Sequence, residues 1–213
     1  MDAQLQRLCT EAIPLVHHEC SHSVFWELSP KTRASSRLDA AFEKEAWLAT
    51  GLLEGVCGGY NLVYQRKGVQ PIRAIATILY CPPAYAPGAA IMPTAPVSAD
   101  AQLISSLHID PVIAATGLEA VMLDAVIMDL VAAEPPAVEV FGIRPDAAVP
   151  PEAEEIVADA ATAGLVEVST LEAAGFKVVA DHPVLPRLRM ELPPARELLT
   201  EQELADLFNR ICV

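Results

Sequence analysis

The chain has 213 residues, of which 53% are hydrophobic and 20% charged, so it holds enough apolar surface for one substantial core, and global disorder is excluded. Its net charge of −14 lies wholly in residues 100–213, where six Lys/Arg meet twenty Asp/Glu, while residues 1–99 carry eight of each. Between Gln102 and Phe176 the only Lys or Arg is Arg144, and a field of that sign repels nucleic acid and anionic membranes.

No apolar run is long enough to span a bilayer, and "MDAQLQRLCTEA" lacks the basic and apolar regions of a signal peptide. The expected location is the cytoplasm. Cys9, Cys20, Cys57, Cys81 and Cys212 are odd in number and scattered without a C-x-x-C. They are expected to be reduced and mostly buried.

In chain order, residues 1–33 give no clear element beyond a short buried segment around Val24-Phe25-Trp26. Residues 37–56 predict a helix whose stripe includes Leu38, Phe42, Leu48, Leu52 and Leu53, with its Glu and Lys elsewhere, stopped by Gly58-Gly59. "YNLVYQ" and "PIRAIATILYC" predict two strands of a hairpin. The Pro- and Ala-rich run from Cys81 to Asp100 is too long for a casual connection and points to a functional loop.

Residues 101–109 predict a strand, 118–133 a helix, and 137–143 a strand after Pro135-Pro136. A helix is expected from Pro151. Ser169 to Glu172 has the spacing of a capping box, for a helix ending at Gly175. "KVVAD" and "RLRMEL" predict strands, and Thr200 to Glu203 a second capping box for a last helix. The order predicts an α/β fold around one mixed sheet.

The stretches Leu107-His108-Ile109-Asp110-Pro111, Thr116-Gly117-Leu118 and Leu171-Glu172-Ala173-Ala174-Gly175-Phe176, in that arrangement of strand, turn, helix and strand, resemble the GNAT superfamily of N-acetyltransferases. "FEKEAWL", "CPPAYAP…PTAPVSADA", "EVFG" and "HPVLPRLRM" resemble actinobacterial GNAT-like proteins. The resemblance covers roughly residues 38–192. It implies a GNAT-like mixed central sheet flanked by helices over 37–192, with an N-terminal extension (1–36) and a C-terminal helix (193–213). It also implies acetyl-CoA as cofactor and transfer of its acetyl group to a small-molecule or protein amine.

In that family an Arg/Gln-x-x-Gly-x-Gly/Ala loop holds the pyrophosphate on backbone N–H groups at a helix N-terminus. The matching positions are Ala114, Ala115, Thr116, Gly117, Leu118 and Glu119, with His108 and Ile109 on the strand that leads in. Gly117 fits. Ala114 replaces the long side chain, and Glu119 brings a carboxylate toward the phosphates, which predicts weak or lost acetyl-CoA binding.

Glu139 is the candidate general base, on the strand after the long helix and facing away from Val138 and Val140. The family's thiolate-protonating Tyr has no counterpart in 164–176, where Ser169 is taken as a cap. The His17–His22 run is read as a polar segment, with no metal expected. His108 is also read as a strand histidine with a backbone partner, and Tyr85 as a loop-packing residue. Two readings stand: an N-acetyltransferase, or a catalytically silent protein of the same fold that binds a cationic protein or small ligand. The oligomeric state is left open, with a dimer among the options.

Overall fold

The computed structural model describes residues 2–34, 39–65, 73–114, 117–196, 198 and 203. Its centre is an eight-stranded sheet ordered β1-β2-β3-β4-β5-β8-β7, with β6 paired to β5. The strands are β1 (Asp2–Arg7), β2 (Gly58–Gln65), β3 (Ala76–Cys81), β4 (Ala101–Ile109), β5 (Ala137–Ile143), β6 (Val166–Glu167), β7 (Lys177–Ala180) and β8 (Arg187–Glu191). The helices are α1 (His18–His22), α2 (Pro30–Arg33), α3 (Ala40–Leu53), α4 (Leu118–Ala133), α5 (Glu154–Ala158), α6 (Ala160–Ala163) and α7 (Val168–Ala173).

Strand alternation divides the core. Ile78, Tyr80, Ile104, Leu107, Val138 and Val140 face α4 and α7. Cys81, Leu103 and Phe141 face the other way, toward Phe25, Trp26, Met92 and α5. Leu79 meets Leu8, Ala12, Val16, Cys20 and Leu48 on that second side. The expected crossover is present: β4 and β5 are parallel neighbours joined through α4.

Asp2–Arg7 of the N-terminal segment is part of the sheet. β1 pairs antiparallel with β2 as the edge strand, and its Ala3 joins the core beside α4. The segment Val24-Phe25-Trp26 is buried as expected.

α3 is turned relative to its expected stripe. Asp39 caps it by accepting from the Phe42 N–H at 3.1 Å. Lys44, Leu48 and Gly51 point inward, and Phe42 and Leu53 are 66% and 78% exposed. The reason is electrostatic: the Lys44 ammonium pairs with the Glu27 carboxylate inside the protein. Gly51, without a side chain, lets Cys57 pack closely on the helix.

The first capping box does not form. β6 runs straight into α7, so the helix starts early with Glu167 at its N-cap. Ser169 falls inside the first turn and donates to Glu167 Oε2 at 3.3 Å. β3 starts at Ala76, later than expected. The last helix and Cys212 lie outside the described residues, apart from the helical Glu203. Among the described residues, no helix is long and apolar enough to cross a membrane.

Candidate functional site

The site grows out of one irregularity in β4. Ile104 stands opposite Tyr80 and Ser106 opposite Leu79, which leaves Ser105 as a β-bulge. The bulge reverses the alternation beyond it. Leu107 and Ile109 therefore face α4, and Ser106 and His108 face the opposite side.

At the same place β4 and β5 part. They are bonded only from Ala101↔Ala137 to Ile104↔Val140. Beyond that, β6 takes the place beside β5, through Gly142↔Val166 and Ile143↔Glu167. The chain just before β6 fills the gap with three successive carbonyls, two held by β4 and the middle one by Trp26. Thr162 O accepts from His108 Nε2 at 3.1 Å, Ala163 O from Trp26 Nε1 at 2.7 Å, and Gly164 O from Leu107 N at 2.9 Å.

On the α4 side of this wedge opens a pocket of about 580 Å³. Its floor is Leu107, Ile109, Leu165 and Val166. Gly117, Glu119 and Ala120 of the α4 N-terminus form one wall, and Glu167, Ser169, Thr170 and Ala173 the other. Gly117 starts the helix with φ +86°, a left-handed conformation that glycine adopts without strain, and an added Cβ would meet nothing within 4 Å. The pocket thus lies where a strand ends and a long helix begins, at the positive end of the helix dipole.

The anticipated site residues divide. Ile109, Gly117 and Glu119 line the pocket. Leu118 does not: it is fully buried in the core under α4. Ala114 is exposed in the preceding turn, and its N–H donates to Asp110 O at 3.2 Å. Ala115 and Thr116 lie outside the described residues. His108 is on the reverse face, 4% exposed, because of the bulge. Burial lowers its pKa to about 4, with Lys44 and His17 acting in the same direction against the Thr162 hydrogen bond. Ser169, read from the sequence as a cap, lines the pocket together with Thr170 and Glu167, which no motif in the sequence marked.

Glu139, the anticipated base, is a structural anchor in this fold. It faces away from α4 as expected, but it is fully buried and absent from the pocket lining. Its Oε2 accepts from Ser98 N at 3.1 Å and from Arg187, and its Oε1 from Arg189 at 3.2 Å. Arg187 also donates to Thr94 O at 2.9 Å, and Arg189 to Asp100. The Pro-rich run is thereby fastened onto β5 and β8. Desolvation alone would raise the Glu139 pKa, but the Ser98 hydrogen bonds and the Arg187 guanidinium outweigh it and hold it below the ordinary 4.5.

Three of the roughly four acceptor positions of this carboxylate are already taken by structural donors. Glu139→Gln should lower stability by about 3 kcal/mol, since a buried pair has lost one partner. As a depressed carboxylate, Glu139 stabilises the fold above the ordinary value of 4.5, and that contribution disappears as pH falls through its lower folded pKa. Urea titrations of parent and variant at pH 7 and pH 3 check both points. A variant of parental stability whose acetyl-transfer turnover falls 10²–10⁴-fold, roughly the range for a general base, would restore the catalytic role.

The other polar candidates have structural partners. His17 Nε2 lies 3.0 Å from Asp110 Oδ1, and the His17 N–H donates to Thr77 Oγ1 at 2.9 Å. His18 and His22 belong to the short helix α1. Tyr85 donates to Glu54, and its carbonyl accepts from Trp47 Nε1 at 2.9 Å. Among the described residues, no group of three or more metal-ligating side chains converges.

The architecture is that of the GNAT acetyltransferases, an α/β fold with a mixed central sheet flanked by helices. The ribosomal-protein-S5-alanine acetyltransferase of Vibrio fischeri superposes with a TM-score of 0.51 over 92% of this chain and 97% of its own, at 12% identity. An N-acetyltransferase of Staphylococcus aureus gives 0.51 over 90% and 99%, at 11% identity. The PaiA N-acetyltransferase of Thermoplasma acidophilum, solved in complex with coenzyme A, gives 0.51 over 90% and 99%, also at 11% identity. No protein-family model and no curated protein matches the sequence.

Proposed function

We propose that the chain is a cytoplasmic N-acetyltransferase that takes acetyl-CoA in the pocket at the α4 N-terminus and acetylates a cationic amine. The observation that carries this reading is the pocket itself, placed between a strand end and a helix N-terminus of a GNAT-like sheet. Its floor of Leu107, Ile109, Leu165 and Val166 suits the pantetheine arm, and the open space at Gly117 lets a ligand approach the backbone. The phosphates fit less well. Among the described residues the lining holds no Lys or Arg, Glu119 stands on the wall, and the Ala114 N–H is already bonded within its own turn.

When bound, acetyl-CoA would supply a thioester open to attack by an amine. The chain's own residues would orient the arm, exclude water along the apolar floor, and offer the Ser169 and Thr170 hydroxyls as proton carriers. Glu119 and Glu167 favour a positively charged acceptor. A second reading, a silent binding protein of this fold, is favoured by the wedge at Thr162–Gly164, which already occupies the Leu107 N–H.

Thermal-shift and calorimetric titrations with acetyl-CoA, together with thiol release in the presence of polyamines and N-terminal peptides, test the reading. Ligand that binds only the native state must raise Tm. Glu119→Gln should tighten acetyl-CoA about ten-fold, since a carboxylate near a phosphate opposes it by roughly 1–2 kcal/mol after screening. A parent and a variant that both fail to bind would overturn the cofactor assignment. Binding without thiol release would favour the silent protein.

A further inference from the structure

Cys57 and Cys81 close the open end of the β2–β3 hairpin. Gly58 stands opposite Tyr80, so the next position outward sets Cys57 opposite Cys81. The Cys57 N–H turns away from β3 and donates to Gly51 O at 3.1 Å. This is the geometry of a non-hydrogen-bonded pair, in which Cα atoms approach to about 4.5 Å. That separation lies within the roughly 4.4–6.8 Å that a disulfide spans.

The side chains also converge. Both cysteines belong to one buried cluster with Trp26 and Leu103, and both are free thiols. The neighbouring Cys57 thiol together with burial pushes the Cys81 pKa well above the ordinary 9.0. Cys81 is fully buried, whereas Cys57 keeps 7% exposure and is the residue of the two that solvent reaches. Among the described residues the other thiols are placed differently: Cys20 lies in a separate cluster, and Cys9 is exposed.

We propose that Cys57 and Cys81 form a dithiol modification site, which hydrogen peroxide converts to a cross-strand disulfide. The Cys57 thiolate attacks the peroxide O–O bond, forming an S–O bond and releasing hydroxide, which takes up the thiol's proton to become water. The Cys81 sulfur then attacks the sulfenic sulfur of Cys57. An S–S bond forms, the S–O bond breaks, and the departing oxygen leaves as a second water carrying the Cys81 proton. Two thiols and one peroxide thus give one disulfide and two waters. A small oxidant matches the narrow access at Cys57, where a bulky disulfide reagent does not.

The bond would also stiffen α3. Cys57 Sγ packs against Gly51 so closely that a Cβ there would fall 2.4 Å away. Fixing that sulfur therefore fixes the last turns of the helix. This site is independent of the acetyl-CoA assignment.

The test uses the full chain carrying Cys9→Ser and Cys212→Ser. The protein is treated with hydrogen peroxide, quenched, denatured, alkylated, digested and mapped by mass. The expected product joins the Cys57 and Cys81 peptides, lighter by two hydrogens and reversed by a thiol reductant. Tm should rise by roughly 6–12 °C, the effect of closing a loop of this length in a chain of this size. Cys81→Ser should leave Cys57 as a dimedone-reactive sulfenic acid. Recovery of both cysteines alkylated after peroxide treatment, or a cross-link from either one to Cys20, overturns the proposal. The peptide map of the parent decides the matter even where a serine variant folds poorly.

Discussion

Lys44→Met should cost the fold about 3–5 kcal/mol, the usual result of removing one partner from a buried ion pair. The side chains of Lys44 and Glu27 are 2% and 0% exposed, so the remaining carboxylate cannot turn to water. Glu27 Oε2 has no hydrogen-bond partner among the described residues even with Lys44 in place. The pair is therefore only partly compensated, and the double variant Lys44→Met/Glu27→Leu should recover most of the lost stability. Urea titrations of the parent, both singles and the double give the coupling energy directly. A single variant within 1 kcal/mol of the parent, a difference of about the size seen for surface pairs, would show that the charge is not confined as described. A double no more stable than Lys44→Met would show that packing, not charge, dominates at this position.

The second large effect is a loss of stability in mild acid, traced to His108. In the unfolded chain this histidine takes a proton near 6.5, but in the fold only near pH 4. Between these values the unfolded state binds the extra proton, so stability falls as pH drops. At about 1.4 kcal/mol per pH unit, the loss is roughly 3 kcal/mol across that window. Stability measured by urea at pH 7 and pH 4.5 should show it, and His108→Gln should flatten the dependence. NMR titration of the imidazole gives an independent reading. A His108 midpoint above 6 would mean that the ring is better hydrated than its 4% exposure implies.

Those two effects fall where the sequence is hardest to read. The β4–α4–β5 crossover was legible because strand alternation, Gly117 and the Pro135-Pro136 break each mark their own position. Lys44 lay within a plausible amphipathic pattern, and only Glu27, 17 residues upstream on a different segment, draws it inward. The direction of Glu139 was readable from alternation with Val138 and Val140. Its partners were not, because Arg187 and Arg189 are 48 and 50 residues further on and reach it by strand pairing. The face that His108 takes is set by one extra residue, Ser105, and a bulge leaves no compositional mark. β1 was missed because "DAQLQR" is mostly polar, as an edge strand with one face toward water is free to be.

The wedge at Thr162–Gly164 has a mechanical consequence. The sheet is two leaves, β1–β4 and β5–β8, that share direct strand pairing only between Ala101–Ile104 and Ala137–Val140. Past that short seam, the leaves are held at their opening angle by a single stretch of chain, bonded to β4 on one side and continuing into β6 against β5 on the other. The stretch behaves as the keystone of an arch. It carries no chemistry, yet its position sets the angle between the leaves, and with it the width of the pocket that both leaves border. Substitutions at Trp26 or His108, on the face of the sheet opposite the pocket, therefore act on that width through the carbonyls they hold.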